Sequence, residues 1–357
     1  MRASRKTPPA WRRLKDRSRL CVRLRAMTHA ALALPSLPPG VLLETVSPGL
    51  DAAVGIAVVV PTFRRPELLL RTLESLRAQD TKRRFAVILV ENDAEGRAGL
   101  EAARPLIEAG AIHGMAVVAE ARGNCSAYNA GFSAARRVLP RLETALIIDD
   151  DEAAEPGWIE AHLTALERFG ADVTGGPQVP VFEEPGREAL ADHPVFRAPY
   201  EASGPVQALV SSGNVAIRAR VLQRMGEPLF DTRFDFTGGG DADLFSRCAR
   251  AGFRFAWCHE AAVHEVVPAR RTEFSWINAR ALRNGALSTL VQRGRDGRAR
   301  TLAKSLALAL AAPPRSAWAA WHSRSLLIGL YHLQIAAGRL QGEFGRVGEQ
   351  YRKPESN

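Results

Sequence analysis

The stretch Ala145-Leu146-Ile147-Ile148-Asp149-Asp150-Asp151-Glu152 decides how this chain is built. Four apolar residues without alternation read as a strand buried on both faces, as in a parallel sheet. Three aspartates follow at its carboxyl end, where α/β sheets put their ligands. Carboxylates crowded there repel one another and lose hydration, so a cation belongs nearby. Mg2+ or Mn2+ meets that need, because such ions take one or two carboxylates together with phosphate oxygens. Capping the helix expected near Pro156 would use only one of these acids.

Upstream, apolar runs at 56–60, 85–90 and 115–119 repeat the pattern. Helical periodicity over 66–78, 97–109 and 125–138 separates them. This βαβαβαβ order predicts a parallel sheet with right-handed crossovers. Downstream, 171–236 is rich in Gly and Pro, with apolar runs at 206–210 and 214–217. Helix, strand and strand are then expected over 241–267, and one helix over 273–293.

The chain has 357 residues, 46% hydrophobic, enough for a large core. Its net charge of +10 is unevenly spread. Residues 1–30 hold ten Lys/Arg and one acid, residues 270–357 fifteen and five, which leaves 31–269 at −9. An acidic centre between basic flanks argues against a nucleic-acid groove and for contact with an anionic membrane surface. Residues 1–50 read as a basic leader, in part disordered, and Met27 is an alternative start. Cys21, Cys125, Cys248 and Cys258 are scattered and read as reduced thiols of a cytoplasmic protein. No apolar stretch follows the basic N-terminus as in a secretory signal, and no run reaches the about 18–20 residues of a spanning helix. The tail, 296–357, reads as a helical extension. Its apolar run at 302–312 is expected to break at Pro313-Pro314, before a second apolar helix over 325–340. Trp318 and Trp321 beside His322 and Arg324 suit a helix lying in a membrane interface.

Further polar groups sit at element ends. Thr62, Arg64 and Arg65 follow the first strand, where a nucleotide would lie, although neither the Gly-x-Gly-x-x-Gly fingerprint nor a P-loop is present. Glu91, Asn92 and Asp93 follow the second. Asp93 can accept hydrogen bonds from a base or ribose, or make the turn with Asn92. Gly238, Gly239 and Gly240 precede Asp241 and Asp243. An aspartate there is either an N-cap or a general base. His264 and Glu265 end a later strand, and His264 is a metal-ligand candidate from the opposite side.

Taken in order, these segments resemble the family 2 glycosyltransferases with the GT-A fold, over about 55–290. The segments are PTFRRPELLLRTLESLRAQ (61–79), VENDA (90–94), NCSAYNAGF (124–132), LIIDDDE (146–152), SSGNVAIRARVL (211–222), GGGDADLFSRCARAGF (238–253) and VHEVVPARR (263–271). The resemblance implies a mixed, mainly parallel α/β sheet flanked by helices over 51–295. It implies a nucleotide-sugar site at Pro61, Thr62, Arg64, Asp93, Asn129, Asp149 and Asp150. Asp151 and His264 would serve Mg2+ or Mn2+, Asp241 would be the catalytic base, and Arg270, Arg271 and Trp276 would lie by the diphosphate. Gly213, Asn214 and Asp243 fall on the acceptor side. Two departures stand out: Gly240 where a Glu is usual, and Tyr128 where many members have Arg.

The implied function is inverting transfer of a hexose from a UDP- or GDP-sugar to an acceptor hydroxyl. The acceptor would be a glycan or lipid-linked glycan of exopolysaccharide or envelope synthesis, met at the cytoplasmic face of the inner membrane. A scaffold subunit with a degenerate site is the non-enzymatic alternative. A sugar-1-phosphate nucleotidyltransferase is less favoured, because the loop after the first strand lacks its glycines.

Overall fold

The computed structural model describes residues 36–348, so the leader up to residue 35, with Cys21 and Met27, and residues 349–357 lie outside the described residues. Where the sequence pattern shows no strand before residue 54, the structure forms β1 (Val41–Val46), antiparallel to β4 (Gly114–Ala119). A single edge strand half-exposed on both faces carries no strong period. The expected strands are β2 (Ile56–Thr62), β3 (Phe85–Glu91), β4 and β5 (Thr144–Ile148), all mutually parallel where paired. Nearly every residue in them is buried, which is why their sequences do not alternate. Each buried Val, Leu or Ile there contributes about 1.5–3 kcal/mol.

The crossover helices are α1 (Pro66–Arg77), α2 (Ala98–Glu108) and α3 (Asn124–Val138). Pro66 starts α1, where its missing N–H costs nothing, and Leu69, Leu73 and Leu76 bury one face. Thr72 on that face reaches the carbonyls of Asp150 (2.9 Å) and Glu152 (2.6 Å), fixing the turn after β5.

After β5 come β6 (Glu152–Ala154), α4 (Trp158–Arg168), β7 (Val173–Gly175), β8 (Gln178–Phe182), β9 (Gly204–Val206) and β10 (Asn214–Arg218). α5 (Ala219–Met225), α6 (Gly240–Arg250), β11 (Phe255–Trp257) and β12 (Val263–Val267) follow. The main sheet runs β1-β4-β3-β2-β5-β10-β7-β11-β9, and a small sheet runs β6-β12-β8. The fold is thus a mixed α/β sheet, parallel at its centre, with a helical C-terminal part.

That part is α7 (Phe274–Asp296), α8 (Arg298–Ser323) and α9 (Leu326–Glu343). Pro313 and Pro314 do not break α8, contrary to the expectation. The carbonyls that lose a partner belong to Ala309 and Leu310, at half-exposed and exposed positions where water can replace the bond. Gly285 on α7 and Gly338 on α9 allow close backbone approach, since a Cβ on Gly338 would lie 1.9 Å from the Leu282 carbonyl. Buried Arg339 donates to Ser288, Gln292 and Ser305, joining the three helices. Among the described residues no helix is long and apolar enough to cross a membrane. Cys125, Cys248 and Cys258 are free and buried.

Candidate active site

Strand order sets where a ligand fits. From β2 the chain adds β3 and β4 on one side, then crosses to add β5 on the other. The carboxyl ends of β2 and β5 flank the switch point, which is the ligand crevice of such sheets. A cavity of about 930 Å3 opens there. Pro61, Thr62, Arg64, Asp149, Asp150, Asp151, Gly213, Asp241, Arg271 and Trp276, all singled out in the sequence, line it.

The three aspartates have separate surroundings. Asp150 is the latch across the switch. Its carboxylate accepts from the Thr62 hydroxyl (2.9 Å), the Phe63 N–H (3.3 Å) and Arg65 (3.1 Å). Arg65 also donates to Asp151 at 2.9 Å. Asp149 accepts from the Tyr128 hydroxyl at 2.6 Å, so the residue standing where arginine is common holds this carboxylate instead. A Cβ on Gly213 would lie 2.7 Å from the Asp149 carboxylate, so a larger residue there would have to push the carboxylate aside.

Burial and then the neighbouring Asp151 push the Asp149 carboxyl up to about 7. Burial pushes Asp150 up to about 6, against the pull of Arg65. Burial, then Asp149, raises Glu152 well above the carboxylate range. Such crowding is the electrostatic signature of a cation site. Among the described residues no group of three or more His, Cys, Asp or Glu is arranged as a metal cage. Mg2+ and Mn2+ sites completed by substrate phosphates need only one or two carboxylates, and Asp149 and Asp151 facing a shared cavity fit that requirement.

Glu265, which the sequence reading passed over, belongs to this half. It lines the cavity, accepts from Arg271 at 3.0 Å, and is raised by burial and then by Asp151. His264 does not line it. β12 pairs with β6 and β8, and successive side chains on a strand point oppositely, so one of the two faces away. His264 lies in a separate small crevice and bonds Glu155 at 2.5 Å. Asp151 lines both spaces, but the structure turns Glu265, not His264, toward the large cavity.

At the other end, Phe63, Arg64, Asn92 and Arg122 line the cavity, and the guanidiniums of Arg64 (5.0 Å) and Arg122 (4.8 Å) both lie over the Phe63 ring. Asp93 is not on the wall. Arg64 donates to it at 2.5 Å and holds its carboxyl below the usual range, helped by the backbone N–H groups of Gly96 and Glu95. Asn92 accepts from the Gly123 N–H (2.8 Å) and donates to the Ala121 carbonyl (2.9 Å), clamping the loop that carries Arg122.

Asp241 opens α6 behind left-handed Gly238 (φ 76°) and Gly239 (φ 92°). A Cβ on Gly240 would lie 2.4 Å from the Cys125 sulfur, which accounts for glycine where Glu is usual. Burial raises the Asp241 carboxyl, opposed by the Ala242 N–H and by Arg280 and Arg283 of α7. A carboxyl so raised suits proton abstraction.

Four other expected residues are turned elsewhere. Asp243 lies about 200° round the helix from Asp241 and pairs with Arg247 at 2.7 Å. Asn129 clamps the Phe230 backbone with two bonds of 2.8 Å. Asn214 uses all four of its hydrogen-bonding positions behind the sheet. It donates to the carbonyls of Pro177 (3.1 Å) and Ala261 (2.8 Å), and its oxygen meets Trp158 Nε1 (2.8 Å) and His162 Nε2 (2.9 Å). Arg270, next to Arg271, does not line the cavity.

Residues 57–226 match the sequence model of "Glycosyl transferase family 2". That stretch carries the switch and the aspartates but ends before Asp241 and Glu265. The chain is 29% identical over 239 residues to the succinoglycan biosynthesis protein ExoM of Rhizobium meliloti (strain 1021), covering 64% of this chain and 72% of that protein. Its fold is similar to that of the mannosyltransferase PcManGT from Pyrobaculum calidifontis, solved with GDP-Man and Mn2+. The TM-score is 0.51 at 17% identity, with 83% of this chain and 89% of that one covered.

Proposed function

We propose that this chain, which carries a family 2 glycosyltransferase domain over residues 57–226, transfers a hexose with inversion from a UDP- or GDP-sugar to an acceptor hydroxyl. The observation that carries this reading is the single cavity shared by the 149–151 aspartates, Glu265 with Arg271, and Asp241. The nucleotide lies toward Phe63, Arg64 and Arg122. Thr62 and Asp150 keep the two strand ends in register beneath the donor. Asp149 and Asp151 would hold Mg2+ or Mn2+ together with the donor diphosphate, where the ion would supply positive charge against the leaving group. Arg65 and Arg271 add fixed positive charge at the same place. Asp241 takes the proton of the acceptor hydroxyl as it attacks the anomeric carbon from the far side.

The likeness to a succinoglycan biosynthesis protein supports a place in exopolysaccharide assembly, and the acceptor of this proposal is a lipid-linked glycan. The tail supports work at the cytoplasmic face of the inner membrane. Residues 297–342 contain no acid, while Arg298, Arg300, Lys304, Arg315 and Arg324 are exposed. Leu306, Leu310 and Trp321 lie on one side of α8 and are 50%, 82% and 86% exposed. Cations bordering apolar side chains on a surface helix suit an anionic bilayer.

The test is donor turnover over a panel of nucleotide sugars, beginning with GDP-mannose and Mn2+, with and without EDTA. Asp241→Asn should lower transfer by about 10²–10⁴ while donor binding persists. Normal transfer by that variant refutes the base assignment. Calorimetry showing no nucleotide-sugar binding would favour a scaffold.

A further inference from the structure

α3 carries contacts to both halves of the cavity. On one side the Tyr128 hydroxyl holds the Asp149 carboxylate. On the other, the segment that leads to Asp241 rests on the same helix at three points. Asn129 clamps the Phe230 backbone. The Asp235 carboxylate accepts from the Ser126 N–H and from the Ser126 hydroxyl, each at 2.8 Å. Gly240 lies against the Cys125 sulfur, where even a Cβ would be too close. Asp235 does for α3 what an N-cap side chain does, since it accepts from the N–H of the third helical residue, yet it stands 109 positions from Ser126. Gly123, at the cap position itself, has no side chain to do so, and a Cβ there would lie 2.1 Å from the Asp235 carboxyl carbon. Asp235 is buried and does not line the cavity, although Phe234 and Phe236 on either side of it do.

We infer that Asp235 is a positioning residue for the proposed base: by fastening the segment before Gly238 to α3, it sets where Asp241 stands relative to Asp149. The inference rests on the transferase reading above. Three consecutive glycines, Gly238, Gly239 and Gly240, lie between this anchor and Asp241. Glycine leaves the backbone its widest range of conformations, and Gly238 and Gly239 use it with left-handed φ of 76° and 92°. Such a turn does not fix its own course, so the residue that follows depends on anchors at both ends. α6 supplies the far anchor through buried Leu244, Phe245 and Cys248, and Asp235 supplies the near one. A carboxylate at a helix N-terminus meets the positive end of the helix dipole, and bonds to an ionised acceptor are about twice as strong as neutral ones. Tyr128 follows Ser126 by two residues, so one rigid helix spans from the aspartates to the base. Displacing a reacting group by about 1 Å can cost about a hundredfold in rate.

The experiment uses the full chain with Mn2+ and whichever nucleotide sugar of the panel above it turns over fastest. Asp235→Asn keeps the shape and removes the charge. It should lower turnover by about tenfold to a hundredfold per nucleotide-binding site, the sites being counted by calorimetry, with donor affinity changed less than about threefold. A purely structural role would lower the number of binding sites and the Tm but not the turnover of each site. Ser126→Ala removes the hydroxyl bond alone, should lose less, and serves if Asp235→Asn fails to fold. Ser126→Thr, which keeps a hydroxyl, should recover part of what Ser126→Ala loses. A double-mutant cycle separates action through the base from action elsewhere. Placed in the Asp241→Asn background, neither Asp235→Asn nor Ser126→Ala should lower the residual turnover more than about twofold, because a group that acts through the base has nothing left to act on. A loss of the same size in both backgrounds, donor affinity falling as far as turnover, or undiminished turnover per site in both single variants overturns the role. Normal turnover by Asp241→Asn removes the base and the role with it. A wild-type chain that binds no nucleotide sugar defeats the transferase reading itself.

Discussion

Tyr128→Phe isolates one contact in the aspartate cluster. The Tyr128 ring is 1% exposed and packs on Phe230 at 5.0 Å, and its hydroxyl donates to Asp149 at 2.6 Å. Phenylalanine keeps the ring and removes only the donor. A hydrogen bond to a charged group contributes about 1.5–3 kcal/mol, and about 1.4 kcal/mol is one pKa unit. The bond favours the ionised carboxylate, so its loss raises a group already pushed up to about 7. The expected rise is about 1–2 units. If Asp149 must be ionised beside the donor diphosphate, the acidic limb of kcat/KM moves up, by less than that amount because a bound cation also favours the ionised carboxylate. Activity should approach the wild-type plateau at high pH. Transfer measured across the pH range at saturating Mg2+ gives the profile. An unshifted limb shows that Asp149 need not ionise. A loss equal at every pH shows that Tyr128 touches substrate and does not act through Asp149.

Asn214→Ala should cost about 3 kcal/mol or more in urea unfolding, because it strips four buried hydrogen-bonding partners. A change in acceptor KM without lost stability would return Asn214 to the binding site. Asp149 and Asp150 are raised in the folded state, so they favour folding when protonated. That stability is lost as pH rises from about 4 toward about 7. The Tm of metal-free protein should therefore fall across that range, and Mg2+ with nucleoside diphosphate should restore more of it at the high end. A restoration equal at every pH contradicts a cation placed on these carboxylates. Flotation with anionic vesicles should be reduced severalfold by Leu310→Ser with Trp321→Ser, and raised salt should weaken it. Equal flotation of wild type and variant removes α8 from membrane contact.

Much of the fold could be read from one chemical regularity. Strands β2 to β5 are buried on both faces, so their sequences are unbroken apolar runs, and polar residues mark their ends. The helices between them follow from apolar spacing and from Pro66. β1 was not legible, because a half-exposed edge strand has neither an apolar run nor a clear alternation. The continuous α8 was hidden by Pro313 and Pro314, whose lost backbone bonds are tolerable only where water reaches the helix.

At the site, the sequence alone determined which short segments converge: the turn after β2, the aspartates after β5, the glycines before α6 and the end of β12. Strand order and periodicity dictate that much. Tertiary structure decided which neighbour in each segment faces the cavity: Tyr128 and not Asn129, Gly213 and not Asn214, Asp241 and not Asp243, Glu265 and not His264. Adjacent residues differ by about 100° on a helix and 180° on a strand. Which of them meets the ligand depends on what packs behind the element, and those packing partners lie far away in sequence. Asp150 shows the same division. Its carboxylate is plain in the triplet, but its role as latch exists only because Thr62, 88 positions earlier, ends the neighbouring strand.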